Sequence, residues 1–361
     1  MNFNILLNMR FLIKLFFFSS LSVISQNDTD LVKNLNSTYS LTAVGDIMIG
    51  TNYPSNNYLP PNDGDGYFDS VSATLKQSDI TFGNLEGVIM TKNIAPRKTC
   101  QNPKNCYVFK MPDHYVDHVK KAGFGLLSLA NNHINDFGRE GINNTTELLK
   151  DSGIAFAGTL DYPMTIIDVK DLKIGFCAFS PNYGTVNLHD LAQAKKIVFD
   201  LSQKSDIVIV SFHGGGEGES FQHISNKNEI YLGENRGNPY LFARQMIDVG
   251  ADIVLGHGPH VTRAIDLYKN KFIAYSLGNF ATYGRFSLRG PKGIAPIIEI
   301  NFDKNGDFVS GNIRSIKLVN GGIPVLDETN SALKVIQRLV DQDLPESPIQ
   351  INDNGKISKI K

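Results

Sequence analysis

Carboxylates, side-chain amides and imidazoles recur beside glycine wherever a short apolar run ends. Leu41 to Val44 leads into Gly45-Asp46, Ile80 to Phe82 into Gly83-Asn84-Leu85-Glu86-Gly87, and Leu126 to Ala130 into Asn131-Asn132-His133. Ile207 to Phe212 leads into His213-Gly214-Gly215-Gly216-Glu217, Ile253 to Leu255 into Gly256-His257-Gly258-Pro259-His260, and Phe272 to Tyr275 into Ser276-Leu277-Gly278-Asn279-Phe280. Oxygen and imidazole nitrogen together make a ligand set that favours Mn, Zn or Fe over the hard ions Ca and Mg. One or two such divalent transition metals are expected. A pair of ions sits roughly 3.5–4 Å apart and clamps the attacking and leaving oxygens of a displacement, which calls for a bridging carboxylate. The adjacent glycines let the backbone turn sharply and approach a ligand closely.

Taken singly, these residues have plainer uses. Asp46 after a strand could cap a helix, Glu86 could be an exposed loop acid, and His133 with Asp136 could be a capped loop histidine. The pair His257-x-x-His260, at a tight Gly-Pro turn after a buried strand, suits converging ligands. His114, His118, His189 and His223 read as surface or packing residues. The recurrence at strand ends is the stronger signal, because open α/β sheets bind their ligands at the carboxyl ends of parallel strands.

The elements that must hold these residues alternate. The apolar runs named above, together with Ile154 to Ala157, are separated by segments of helical spacing at His114 to Ala122, Gly141 to Ser152, Leu188 to Lys204 and Tyr240 to Val249. That alternation predicts α/β units. Antiparallel pairs are expected at Thr165 to Ala178, turning at Lys170-Asp171, and at Arg263 to Ser276, turning at Lys269 to Lys271. After Gly293 the reading is almost all strand, with Asn305-Gly306 turning a hairpin between Ile297 to Phe302 and Phe308 to Leu318. An α/β core that acquires hairpins implies two sheets face to face with helices outside. One domain is expected over 41–340, with the motif core at 41–280 and a loose polar tail at 341–361.

Composition narrows the classes. The 361 residues are 42% hydrophobic and 20% charged, with a formal net charge of -1, which describes a globular chain and excludes disorder, collagen and coiled coil. No basic run tracks a phosphate backbone, so nucleic acid is not an expected partner. There is no Gly-x-x-x-x-Gly-Lys-Ser/Thr loop and no Gly-x-Ser-x-Gly elbow. Arg10 and Lys14 precede the apolar stretch Leu15 to Ile24 and then Ser25, the order of a secretory signal over 1–25, with an uncleaved anchor as the alternative. Residues 26–40 read as a polar tether. Export makes a small disulfide between Cys100 and Cys106 an expectation, and Cys177 a core thiol.

The ordered set Gly45-Asp46-Ile47-Met48, Asn84-Leu85-Glu86, Asn131 to Gly138, His213 with Glu217, Gly256 to His260 and Ser276 to Phe280 resembles the CapA family of poly-γ-glutamate capsule synthesis proteins. That family is similar to calcineurin-like metallophosphoesterases, which implies a four-layer αββα sandwich. The resemblance implies Asp46 and His260 on a first metal, Glu86 as the bridging carboxylate, and Asn132, His213 and His257 around a second. It implies His133 as general acid, an imidazole whose ordinary pKa near neutrality fits the task, with Asp136 orienting it. Asn84, Glu217, Arg236, Arg263 and Asn279 are the expected substrate contacts, the two arginines being loop cations near the motif strands. Two departures stand out. Met48 occupies the position where the wider phosphoesterases carry a ligand histidine, as is common in the CapA family, and Gly214 replaces an aromatic that walls the pocket.

The implied function is capsule biosynthesis or export, of poly-γ-glutamate or polysaccharide, with a metal-dependent hydrolase site acting on a phosphoester or a polymer linkage. A γ-glutamyl amide would call on the same chemistry. The alternative is a non-catalytic envelope component that holds an anionic polymer. Expected partners are an anionic capsule polymer or phosphoester substrate and a membrane-bound capsule synthesis complex; the expected location is exported, in periplasm, cell envelope or medium.

Overall fold

The computed structural model describes residues 38–97 and 107–360. The expected leader over 1–25, most of the expected tether, and Cys100 and Cys106 lie outside the described residues. Four parallel strands and three helices come first: β1 (Tyr39–Met48), α1 (Asp69–Leu75), β2 (Ile80–Leu85), α2 (Tyr115–Ala122), β3 (Leu126–Ser128), α3 (Gly138–Asp151) and β4 (Ala155–Ala157). The chain then builds a second sheet from β5 (Met164–Val169), β6 (Leu172–Phe179), α4 (Leu191–Ser202), β7 (Ile207–His213), α5 (Pro239–Asp248), β8 (Ile253–His257), β9 (Ile265–Tyr268) and β10 (Lys271–Ala274). It returns to the first sheet with β11 (Asn279–Thr282), β12 (Ile294–Phe302), β13 (Phe308–Val319), β14 (Ile323–Leu326), α6 (Ser331–Asp343), β15 (Ile349–Ile351) and β16 (Lys356–Lys359).

The first sheet runs β15-β16-β13-β12-β1-β2-β3-β4, with β11 also on β1 and β14 on β13; the second runs β9-β10-β8-β7-β6-β5. Strand alternation explains how they stack. Leu41 and Ala43 of β1, Phe82 of β2 and Leu126 of β3 join the core shared with the second sheet, whereas Val44, Leu85 and Leu127 face the core beneath α1, α2 and α3. On the far side, Ala194, Val198 and Leu201 of α4 and Phe242, Ala243 and Met246 of α5 cover the second sheet. The expected four-layer αββα sandwich is therefore present. Local chemistry sets the outer helices: the Asp190 carboxylate accepts from the Gln193 amide at 3.0 Å at the start of α4, and Asn238 Oδ1 accepts from the Leu241 amide at 2.9 Å before Pro239 opens α5.

The hairpins fall where turn chemistry puts them. Lys170, Lys269, Asn270 and Gly306 all adopt positive φ at the expected turns. Three readings need correction. The fold begins earlier than residue 41, since Tyr39 is buried in β1. The region after Gly293 also holds α6, whose Ala332, Leu333, Ile336, Leu339 and Val340 make a buried stripe at helical spacing. Residues 341–361 are not a loose tail: β15 and β16 extend the first sheet, burying Ile349 and Ile357. Cys177 is buried in β6, as expected of a core thiol, and burial pushes its pKa up. No helix among the described residues is long and apolar enough to cross a membrane.

Candidate metal centre

Register brings the motif residues together before any side-chain contact is considered. Asp46 of β1 lies opposite Asn84 of β2 on one side and Asn279 of β11 on the other. In the second sheet, His213 of β7 lies opposite His257 at the end of β8. Glycine makes the crossing between sheets feasible. A Cβ at Gly45 would fall 1.9 Å from the Gly278 carbonyl, and that same carbonyl accepts from the Asp46 amide at 2.9 Å, so the strand leaving the second sheet lies directly on β1.

The two sheets then share one cluster. Asp46 Oδ1 accepts from Asn84 Nδ2 at 2.9 Å and stands 3.2 Å from His257 Nδ1, while Asp46 Oδ2 is 3.0 Å from His260 Nδ1. His260 Nε2 faces Glu86 Oε1 at 3.6 Å. Ligand-capable atoms of Asp46, Glu86 and His260 all lie within 4.8 Å of one another. His260 holds a φ of 55°, a left-handed conformation that non-glycine residues rarely adopt and that aims its ring back over Asp46. Asn279 Oδ1 steadies it, 3.1 Å from His260 Nδ1.

Electrostatics follow from burial and neighbours. Burial works to raise the Asp46 pKa, but His257 and His260 outweigh it and hold the carboxyl well below the usual range. Burial pulls His260 down, yet Glu86 and Asp46 push it up to about 10. His213 goes the other way: burial, helped by the charges of His260 and His257, drives it well below its ordinary value despite the opposing pull of Asp46, and keeps the imidazole neutral. His213 Nε2, His257 Nε2 and Asn132 Oδ1 are buried and have no hydrogen-bond partner among the described residues. Such orphaned buried groups are costly unless something occupies them. The Asp46 and Glu86 carboxylates converging with the His260 imidazole, and the unpaired nitrogens of His213 and His257, fit a divalent transition metal by donor chemistry.

The expected acid sits beside this cluster. His133 Nδ1 is 2.7 Å from Asp136 Oδ2, which also accepts from the Phe109 amide at 2.8 Å. The His133 ring lies against Phe109, centroids 4.0 Å apart; Phe109 packs on Phe286 at 5.0 Å, and Phe286 on His260 at 5.3 Å. Phe286 thus joins Phe109 in an aromatic wall beside His133 and His260. Its sequence signal is weak, a lone aromatic in a basic loop beyond the motif core. Asn131, one member of a motif in the sequence, is the bracket of the site. Its Nδ2 donates to Asn84 Oδ1 at 3.2 Å and to the Leu85 carbonyl at 2.7 Å, and its Oδ1 accepts from the His133 and Ile134 amides, each at 3.0 Å.

The expected substrate contacts separate into two groups. Asn84 and Asn279 are fully buried and bonded to Asp46 and His260, so they position the cluster instead of facing a substrate. Glu217 reaches Arg236 at 3.5 Å, and Arg236 also pairs with Glu234 at 3.0 Å. Arg263 is 0% exposed, and its guanidinium grips Glu229 through bonds of 2.9 and 2.7 Å. With no surface and both Nη groups committed to Glu229, it is a strut under the glycine loop and not a substrate contact. Met48 is fully buried at the end of β1.

The family model of the bacterial capsule synthesis protein PGA_cap matches residues 40–283. The chain is 30% identical over 269 residues to the capsule biosynthesis protein CapA of Bacillus anthracis, covering 68% of this chain and 60% of that protein. It is 28% identical over 262 residues to the PGA biosynthesis protein CapA of Bacillus subtilis strain 168, covering 67% and 62%. The match thus spans about 60% of the length of these relatives. A putative 5'-nucleotidase from Staphylococcus aureus superposes with a TM-score of 0.47 at 15% identity, covering 84% of this chain and 58% of that one.

Proposed function

Given that the chain belongs to the PGA_cap family of bacterial capsule synthesis proteins, we propose that it acts in capsule polymer assembly or export as a metal-dependent hydrolase of a linkage in an anionic polymer such as poly-γ-glutamate. The observation that carries this reading is the convergence of Asp46, Glu86 and His260 within 4.8 Å, flanked by the unpartnered buried nitrogens of His213 and His257. Asp46, Glu86, Asn132, His213, His257 and His260 would hold one or two divalent ions. When bound, such an ion supplies Lewis acidity and a nucleophile at neutral pH by acidifying water.

The protein's own groups complete the chemistry. His133, held by Asp136 through Nδ1 and pressed against Phe109, presents Nε2 as the atom that donates a proton to the leaving oxygen or nitrogen. Asn84 donates to Asp46 and is itself held by Asn131, while Asn279 Oδ1 accepts from His260 Nδ1, so little reorganisation accompanies the reaction. We place this activity at the cell envelope, in contact with a membrane-bound synthesis complex. A second reading, a site that binds polymer without cutting it, draws on the buried Met48, which withholds an imidazole from the first metal position.

Elemental mass spectrometry of the purified chain, with Glu86→Gln and His257→Ala as controls, tests the proposal. Retention of Mn, Zn or Fe by the native chain and its loss in both variants is the expected result, together with metal-dependent shortening of poly-γ-glutamate. Metal retention with no cleavage would favour the binding-only reading; no metal uptake at all would remove the hydrolase.

A further inference from the structure

Between β11 and β12 the chain runs Gly284-Arg285-Phe286-Ser287-Leu288-Arg289-Gly290-Pro291-Lys292, three cations with no carboxylate among them. Topology fixes where this loop lies. β11 is parallel to β1, and the two are in register at Asp46 and Asn279, so the chain leaving β11 emerges at the end of the sheet that carries the metal-type cluster. The loop is tied down there. Asn279, whose Oδ1 touches His260, donates from Nδ2 to the Lys292 carbonyl at 3.1 Å, and Gly284 donates to the Gly321 carbonyl at 2.8 Å.

Its side chains face the same place. Phe286 packs on His260 and on Phe109, which in turn covers His133. Lys292 Nζ runs along Gly218, close enough that a Cβ built on that glycine would meet it at 3.4 Å. Residues 284–289 and Tyr107 line an open surface groove of about 510 Å³. Among the described residues neither Arg289 nor Lys292 has an ion-pair partner, whereas Arg236 and Arg263, the cations that sequence favoured, are both committed to carboxylates. Cations not locked in an ion pair beside a candidate site raise the local concentration of anions.

We infer that the 284–292 loop is the element that reads the substrate, with Arg289 and Lys292 gripping successive carboxylates of a polycarboxylate chain while Phe286 holds its backbone over His260. This deepens the proposed function and rests on it for the identity of the site, but not on metal binding or cleavage. Arg presents a planar fork and Lys a compact charge, so both lose affinity when neutralised.

Titration of fluorescent poly-γ-glutamate with the full chain in the presence of chelator tests the inference apart from catalysis. An Arg289→Ser/Lys292→Gln variant is expected to bind at least tenfold more weakly, with wild-type metal content and thermal stability, and Lys292→Arg to bind near wild-type strength. Unchanged affinity in the double variant would overturn the inference, as would tight binding of polyphosphate by a wild-type chain that ignores poly-γ-glutamate. A wild-type chain that takes up no metal but binds the polymer through these residues would end the hydrolase reading and leave this one standing.

Discussion

Asp46 Oδ1 and His257 Nδ1 stand 3.2 Å apart although β1 and β8 belong to different sheets. The cluster is therefore assembled by the packing of the sandwich, and its electrostatics hinge on one carboxylate that touches both His257 and His260. Asp46→Asn keeps the size and the Asn84 contact but removes the charge. Metal affinity is expected to fall by more than the roughly 10–100-fold typical of losing an outer-shell partner, read by competitive titration with a metallochromic dye. Wild-type affinity in this variant would exclude Asp46 as a ligand.

The metal-free protein should report its histidines through stability. His260 is raised to about 10 in the fold, above the ordinary imidazole value of 6.5, so its stabilisation is complete below about 6.5 and is lost as pH rises through 10. His213 is depressed, so the unfolded chain binds the extra proton first and stability falls as pH drops below 6.5. Thermal unfolding in chelator should give a Tm maximum near neutrality. His260→Gln should flatten the alkaline arm and also soften the acid arm, because His260 helps to hold His213 and Asp46 low, whereas His213→Gln should act mainly on the acid arm. Metal uptake must also displace the His260 proton at neutral pH, which makes apparent affinity climb with pH. A Tm that stays level between pH 7 and 10 in chelator would contradict this account.

His133 and Asp136 should separate chemistry from stability. His133→Ala is expected to lower turnover by about 10²–10⁴-fold, the usual contribution of a positioned acid, while metal content stays as in wild type. Asp136→Ala removes the acceptor of the Phe109 amide as well as the His133 partner. It should therefore also cost about 1–3 kcal/mol of folding stability, measured by urea denaturation. Equal stability of the two variants would mean the Phe109 bond is dispensable.

How much of this was readable beforehand follows from the range over which each signal acts. Alternating strand and helix patterns, and glycine-flanked polar residues at strand ends, are local and were legible, as were Asp46, Glu86, His213, His257 and His260 as one group. The α6 stripe Ala332, Leu333, Ile336, Leu339 and Val340 was equally local, but it follows a run of strands and was absorbed into them. The roles of Asn84, Asn131 and Asn279 were not legible, because an amide that binds a substrate and one that binds a neighbouring side chain have the same sequence signature. Arg263 illustrates the same limit, since its partner Glu229 lies 34 residues away and only packing brings them together. Phe286 depends on the crossing of β11 back to the first sheet, which no local pattern announces.

The Arg263–Glu229 pair yields a final test. Glu229 Oε2 also accepts from the Gly216 amide at 2.7 Å, and a Cβ at Gly215 would meet Arg263 Nη1 at 3.1 Å, so the pair shapes the loop that follows His213. Arg263→Ala leaves a buried carboxylate without its counterion, which should cost about 3–5 kcal/mol. Adding Glu229→Gln should recover part of that loss, because the two residues act as one unit and their costs do not add. Urea denaturation of the two single variants and the double variant measures the coupling directly. Polymer affinity per folded molecule should remain within about twofold in all three if Arg263 is a strut. A stability cost below about 1 kcal/mol, accompanied by loss of polymer binding, would instead restore Arg263 as a substrate contact.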